Sequence, residues 1–434
     1  MATSPAAATT DPTAAPPESP PGGAPLPPMP TSENPAPDDA TPANIPRSAA
    51  ATAVRTVLLA LIFAVSFELA ARVEDLVRYG TPLFSRFTSQ EDLTVRDALG
   101  MHGRPNARFQ KWVLNDLGMR GPEPRGGAAK PPGTVRVVTV GASETFGLYE
   151  SPDKEYPRQL EDSLRAALAP AGGAPASCVQ VLNAALLGMS LPTVAQDVTM
   201  RLAALHPDLI VVYPTSVQYL DEAAPRAARP DSSGRSTDLS PRRALYPRSL
   251  TRLRNQLKLV LPEFVQTWLR RRDIERQVRG NPPGWRFTSV PPDRLAQYER
   301  DLRATIGAIH GAGAEPVLLT HANAFMKPGP RDAAKLYQWA RFYPRAEGEV
   351  IVAFDSVARE VTTAVARDSG VTVVDVAGAL YGGGDRVFAD FSHFTDYGAA
   401  RVASVLSTAL APEVRRRGAC SSSPAASPAA AAPR

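Results

Sequence analysis

The chain has 434 residues with 44 prolines, 7% aromatic residues and a formal net charge of +5; the length allows two ordinary domains, but the proline content excludes packing all of it. Two cysteines exclude a disulfide-dense scaffold and any four-cysteine metal site. Between Met1 and Pro46 fall 14 of the prolines, five acids and no Lys, Arg or aromatic residue, so the remainder carries +10.

Residues 1–47 therefore read as a disordered arm, too poor in apolar groups to form a core. The strongest apolar run follows at Thr56–Phe67, and the window Ser48–Ala71 holds only two charges, Arg55 and Glu68. At about 1.5 Å per residue that window spans roughly 36 Å, enough for a hydrocarbon core of about 30 Å. Residues 48–72 are accordingly expected to form one uncleaved transmembrane helix, with Arg55 and Glu68 near opposite interfaces. The competing readings are a buried helix of a soluble domain and the apolar core of a signal peptide; the long acidic arm, in place of a short basic start, argues against the latter. Arg47 and Arg55 on one side are matched by Arg72, Arg78 and Arg86 on the other, so charge alone leaves the orientation open.

After a lead-in at 73–134, short apolar runs alternate with amphipathic stretches. Strands are expected at Val135–Val140, Val179–Leu182, Leu209–Tyr213, Pro316–Thr320 and Val371–Val374, each nearly continuous in Val, Leu and Ile, as strands buried on both faces must be. Helices are expected at Tyr156–Leu168, Thr193–Leu205, Leu295–His310 and Val350–Arg367. This rhythm predicts a three-layer α/β domain over 135–414 with a mostly parallel five-stranded sheet. Ligands then bind beyond the carboxyl ends of the strands.

After the first strand, Gly141-Ala-Ser-Glu-Thr-Phe-Gly147 puts Ser143 on a tight turn. Neither phosphate-loop spacing is present, and Thr145 stands where the nucleophile elbow of the α/β-hydrolases has its second glycine. Near the other end, Asp390 and His393 stand three apart in a loop leading into a helix. A carboxylate bonded to one imidazole nitrogen leaves the other to face a serine, which makes Ser143, His393 and Asp390 candidate nucleophile, general base and orienting acid. The competing reading has His393 capping the helix or simply exposed.

Ser143 in that turn, Gly188 after the second strand in Leu182-Asn-Ala-Ala-Leu-Leu-Gly188-Met-Ser190, and Asp390-x-x-His393 before the last helix, in that order, resemble the SGNH hydrolases, the GDSL-type esterases. The resemblance runs from roughly Asn115 to Leu410. The lead-in Asn115-Asp-Leu-Gly-Met-Arg120 is similar to the N-x-x-G-x-R stretch of membrane-anchored bacterial members. The resemblance implies a flavodoxin-like α/β/α fold, Ser143 as nucleophile, and backbone N–H groups of Ser143 and Gly188 in the oxyanion hole. It also implies an acyl-ester substrate and an extracytoplasmic domain acting on acylated envelope polysaccharide or lipid. Acyl transfer to an envelope glycan with the same triad and a catalytically silent binding module are the alternatives. Two departures stand out. G-D-S is G-A-S here, and the Asn of G-x-N-D is missing from Tyr213-Pro-Thr-Ser-Val-Gln218. Ser216 is the candidate third oxyanion donor, with Thr215, Gln218 and Asn323 as further candidates.

The connection 222–292 is far longer than usual. Ala223–Ser240 is turn-rich, and Leu250, Leu253, Leu257, Leu261, Phe264, Trp268 and Leu269 then recur at helical spacing, with Pro262 expected to kink or split the helix. Arg242–Arg279 carries eleven basic residues against three acids. Three readings stay open: a helix lying on an anionic membrane, a lid over the site, or a helix packed on the domain with a solvated basic face. No nucleic-acid module accompanies the charge. His321 follows a strand and reads equally as a residue lining the site or as a structural one, whereas His102, His206 and His310 have no partner at metal-ligand spacing. Neither a metal nor a cofactor is expected. Cys178 precedes a strand and Cys420 lies in the disordered tail at 415–434, so the two are expected to be unpaired.

Overall fold

The computed structural model describes residues 49–87, 89–169, 176–221, 249, 253, 261–327 and 329–417. The expected arm, the turn-rich stretch 223–240, the positions Leu250 and Leu257 and the tail from residue 418 lie outside the described residues. Met1–Leu59 and Ala60–Arg434 form two units, and the described part of the first is the start of one helix.

That helix, α1, runs from Ala49 to Tyr79 and is long and apolar enough to cross a membrane, with none of its most apolar window buried. It continues past the apolar stretch because Glu68 and Arg72 pair along it at 2.8 Å, and Arg72 also donates to the carbonyl of Leu83. Two small antiparallel hairpins follow, β1 (Thr94–Asp97) with β2 (Gly100–Gly103) and β3 (Arg108–Phe109) with β4 (Trp112–Val113).

The five expected strands form one parallel sheet. They are β5 (Val135–Gly141), β6 (Val179–Asn183), β7 (Leu209–Tyr213), β8 (Glu315–Leu319) and β9 (Thr372–Val374), in spatial order β6-β5-β7-β8-β9. Alternate side chains of the strands serve two cores. Val137, Val211 and Val317 pack under α3 (Tyr156–Ala167) and α11 (Asp396–Arg416), through Leu160, Leu164, Val402 and Leu406. Val138, Ile210 and Leu318 pack under α4 (Leu191–Met200), α6 (Pro292–Gly311) and α8 (Gly348–Asp368), through Val194, Leu302 and Phe354. Each buried aliphatic side chain contributes about 1.5–3 kcal/mol, and the two cores explain why these strands read as unbroken apolar runs. The chain leaves β5 toward β6 on one side and returns to β7 on the other, so the carboxyl end of β5 is the point where strand order reverses. A crevice opens there in such sheets.

Between β7 and α6, α5 spans Glu263–Arg279, and Pro262 stands just before it and does not kink it. The shorter helices are α2 (Ser143–Phe146), α7 (Ala333–Ala340), α9 (Val376–Leu380) and α10 (Gly384–Val387). One expectation is corrected: Cys178 is disulfide-bonded. The sequence has one other cysteine, Cys420, outside the described residues. Arg415, near the end of α11, donates to the carbonyl of Ala167 at the end of α3.

The lead-in is built into the domain through Asn115, Gly118 and Arg120. The Asn115 side-chain oxygen accepts from the N–H groups of Leu117 (3.0 Å) and Met119 (2.9 Å), closing a turn. Gly118 sits at φ +70°, and a Cβ there would lie 2.0 Å from the carbonyl oxygen of Gly103. The turn delivers Arg120, whose N–H donates to Asn183 O at 3.0 Å beside β6. Gly118→Ala is therefore expected to cost roughly 2 kcal/mol or more, from left-handed strain plus overpacking. Thermal unfolding of the two proteins checks this, and an unchanged midpoint would contradict it.

Candidate functional site

Ser143 opens α2 directly beyond β5. Gly141 makes the turn possible: its φ is +157°, and a Cβ there would meet Thr145 Oγ1 at 2.5 Å and Tyr213 O at 2.8 Å. Gly147 closes the one-turn helix at φ +84°, its N–H donating to Ser143 O. From the other end of the domain, the loop Asp390–His393 comes to the same place. Asp390 Oδ1 accepts from the backbone N–H groups of Ser392 (3.0 Å) and His393 (2.9 Å), and Oδ2 lies 2.9 Å from His393 Nδ1. His393 Nε2 lies 2.8 Å from Ser143 Oγ. An ionised carboxylate only accepts, so Nδ1 carries the proton and Nε2 presents its lone pair to the serine hydroxyl. The helix cap expected of His393 in the competing reading is supplied by Thr395, whose Oγ1 accepts from Gly398 N–H.

Around this line the imidazole is walled by Tyr149 (ring centroids 5.2 Å apart, edge-on) and Phe391 (5.7 Å). The Tyr149 backbone N–H donates to Glu150 Oε2 at 3.1 Å. Burial pulls the His393 pKa down, but the hydrogen bond with Asp390 and the charge of Glu144 outweigh it, and the net direction is above the ordinary 6.5.

Gly188 lies exposed at φ +72° in a turn closed by Met189 N–H to Leu186 O, and the Leu186 N–H donates to Gly141 O at 3.3 Å. Gln218 steadies the same turn, its side-chain amide donating to Met189 O at 3.1 Å. The other expected oxyanion donors are engaged elsewhere. Ser216, buried, donates to Asp355 Oδ1 at 2.7 Å; Asn323 donates to Asp355 Oδ2 at 2.7 Å; Thr215 donates to Glu144 Oε2 at 3.2 Å. The side-chain role expected of Ser216 is thus corrected, because a fully buried carboxylate claims its hydroxyl.

Sequence reasoning missed that carboxylate system. Glu144, next to Ser143 and buried, accepts from Ser392 Oγ at 2.9 Å and from Thr215, and lies 3.7 Å from His321 Nε2. His321 Nδ1 is 2.8 Å from Asp355 Oδ1, and Asp355 Oδ2 accepts from Arg359 at 2.6 Å. Among the described residues neither imidazole nitrogen has an aligned hydrogen-bond partner, so these contacts are ionic. Burial pulls the His321 pKa down, yet Asp355 and Glu144 push it up to about 9. Burial pushes both Glu144 and Asp355 up; His321 and His393 hold Glu144 well below the ordinary carboxylate range, and His321 with Arg359 and Ser216 holds Asp355 below it. The chain of charges is therefore carboxylate, imidazolium, carboxylate, guanidinium. The available signal was small: a glutamate following the turn serine, and a histidine beyond β8.

A second buttress comes from Arg120. Its guanidinium is buried, donates to the carbonyls of Phe146 and Gly147 at the end of α2, and pairs with Glu155 at 3.3 Å. The carbonyl end of α2 is negative, which suits a cation there.

No protein-family model matches the chain, and no curated protein matches it. Solved structures similar to it include a lipolytic protein of the G-D-S-L family from Desulfitobacterium hafniense, at 12% identity and TM-score 0.34, covering 63% of this chain and 99% of that one. A lipase/acylhydrolase from Enterococcus faecalis aligns at 14% identity and TM-score 0.35, over 64% and 97% of the two chains. An acetylxylan esterase from Geobacillus stearothermophilus aligns at 13% identity and TM-score 0.34, over 63% and 92%.

Glu150 supplies a test that needs no substrate. Burial pushes its carboxyl up to about 8. Between the ordinary value of 4.5 and about 8 the folded chain keeps a proton that the unfolded chain releases, so stability falls as pH rises through that window. Glu150→Gln keeps the neutral form and is expected to flatten that part of a melting-temperature-against-pH curve, with little change below pH 4.5. A curve of unaltered slope would contradict the assignment.

Proposed function

We propose that the chain is a serine ester hydrolase of the SGNH type, tethered to a membrane by α1. The observation that carries the reading is the hydrogen-bonded line from Ser143 Oγ through His393 to Asp390, at 2.8 and 2.9 Å. Ser143 Oγ bonds to the acyl carbon while its proton passes to His393 Nε2. The tetrahedral oxyanion is met by backbone N–H groups of Ser143 and Gly188. Collapse breaks the ester C–O bond, and the imidazolium returns the proton to the leaving alcohol. Water then repeats the sequence on the acyl-serine. Asp390 holds the imidazole in the required tautomer throughout.

Three side chains near the expected third oxyanion position point into the Glu144 and Asp355 system, so the hole rests on backbone donors. Loss of one such donor costs about 10²–10³ in rate, and a slow enzyme for an abundant, tethered substrate fits that deficit. Acylated envelope polysaccharide or lipid is the substrate class we infer. The disulfide at Cys178 supports an extracytoplasmic domain, since disulfides persist in oxidising compartments.

Ser143→Ala in the full chain is expected to reduce nitrophenyl-acetate hydrolysis by at least about 10³-fold; equal rates for the two proteins would overturn the reading. The pH profile tests the electrostatics separately. The base must be neutral to accept a proton, so kcat/KM rises with pH through the His393 pKa, above 6.5. Glu144→Gln removes a charge that favours the imidazolium and is expected to move that acid limb to lower pH. A limb that stays in place or moves up contradicts it.

A further inference from the structure

Helix α5 has two unlike faces. On one, Ile274 is buried and Asp273 pairs with Arg341, at 3.3 Å, just beyond α7. On the other, Phe264 is 74% exposed and Trp268 55%, and Leu261, just before the helix, is also exposed. Phe264 and Trp268 are four residues apart and share a side of the helix, one turn after Leu261. Arg271 and Arg272 follow on the next turn, and the Arg272 guanidinium lies 5.4 Å from the Trp268 ring centroid. Water is a poor solvent for such a surface, whereas an indole flanked by arginines matches the boundary between acyl chains and headgroups.

Two further observations say what the surface meets. The same segment, Arg242–Arg279, carries eleven basic residues against three acids. Ser249, within that segment, donates its N–H to Glu68 Oε2 of α1 at 3.0 Å. Glu68 is the charge that closes the apolar window of α1, so the insertion is tied to the chain at the level where the proposed span meets a bilayer surface. Phe84, five residues past the end of α1, is 89% exposed.

We propose that α5 is an interfacial helix that seats Phe264 and Trp268 in the surface of an anionic bilayer, with Arg271 and Arg272 at phosphate depth. The proposal rests on the tethering assigned to α1 and adds a second attachment, which holds the domain in a fixed pose on the membrane instead of leaving it on a leash.

The test uses the full chain reconstituted in vesicles of phosphatidylcholine, with or without phosphatidylglycerol, carrying brominated acyl chains that quench indoles on contact. The four tryptophans are Trp112, Trp268, Trp285 and Trp339; of these Trp268 alone is a large exposed side chain. In anionic vesicles, most of the bromolipid quenching is expected to vanish in Trp268→Phe, and quenching of the native chain is expected to fall in pure phosphatidylcholine and in Arg271→Gln/Arg272→Gln. Quenching that is the same in Trp268→Phe as in the native chain overturns the proposal. A smaller particle for Phe264→Ser/Trp268→Ser in sedimentation, with no quenching in the native chain, overturns it in favour of a second copy. Alkaline carbonate extraction separates the two readings: a chain that stays in the vesicles but shows no Trp268 quenching loses only the α5 surface, and a chain that is extracted loses the span while Trp268 quenching still speaks for α5.

Discussion

A buried carboxylate beside Ser143 organises the candidate site. Glu144 follows Ser143 directly, and loops from three places in the chain reach it: Ser392 from the loop that carries His393, Thr215 from the end of β7, and His321 from the end of β8. An isolated buried carboxylate is costly, and its partners must be both aligned and numerous. Glu144 is stabilised by a cation, His321, which pairs in turn with Asp355, itself paired with Arg359. The loops at the carboxyl ends of the sheet are thereby tied to one point, and the 2.8 Å approach of His393 to Ser143 follows from that tie. The same network explains why the side chains of Ser216 and Asn323 turn to Asp355.

The second support is mechanical. Arg120 grips the carbonyl end of α2, the element whose amino end bears Ser143. It reaches that place because Asn115 closes a turn and Gly118 passes against Gly103. The lead-in is thus part of the site's framework, which gives a physical reason for an asparagine, a glycine and an arginine at that spacing.

Much of this was legible in the sequence where one physical demand dominates. Strands buried on both faces must be apolar throughout, and all five were readable to within a residue or so. Asp390 and His393 stood out because a three-residue spacing in a loop lets a carboxylate meet an imidazole. The partners of Thr215, Ser216 and Asn323 were not legible, because the three are equally polar and only their packing against Glu144 and Asp355 decides where they point. His321 read equally well as a residue lining the site or as a structural one, since its partners Glu144 and Asp355 lie far from it in sequence. The bond at Cys178 was missed because a lone cysteine before a strand carries no local mark of a partner. The long basic connection showed its charge and its helical spacing, but where α5 begins depended on Pro262 acting as a boundary and not as a kink.

The central claim is that Ser143 is an activated nucleophile, and covalent capture tests it most directly. A fluorophosphonate probe added to the full chain, with the adduct located by peptide mass spectrometry, is expected to label Ser143, and His393→Ala is expected to abolish the labelling. An unlabelled native chain, or labelling that survives loss of His393, would contradict the account.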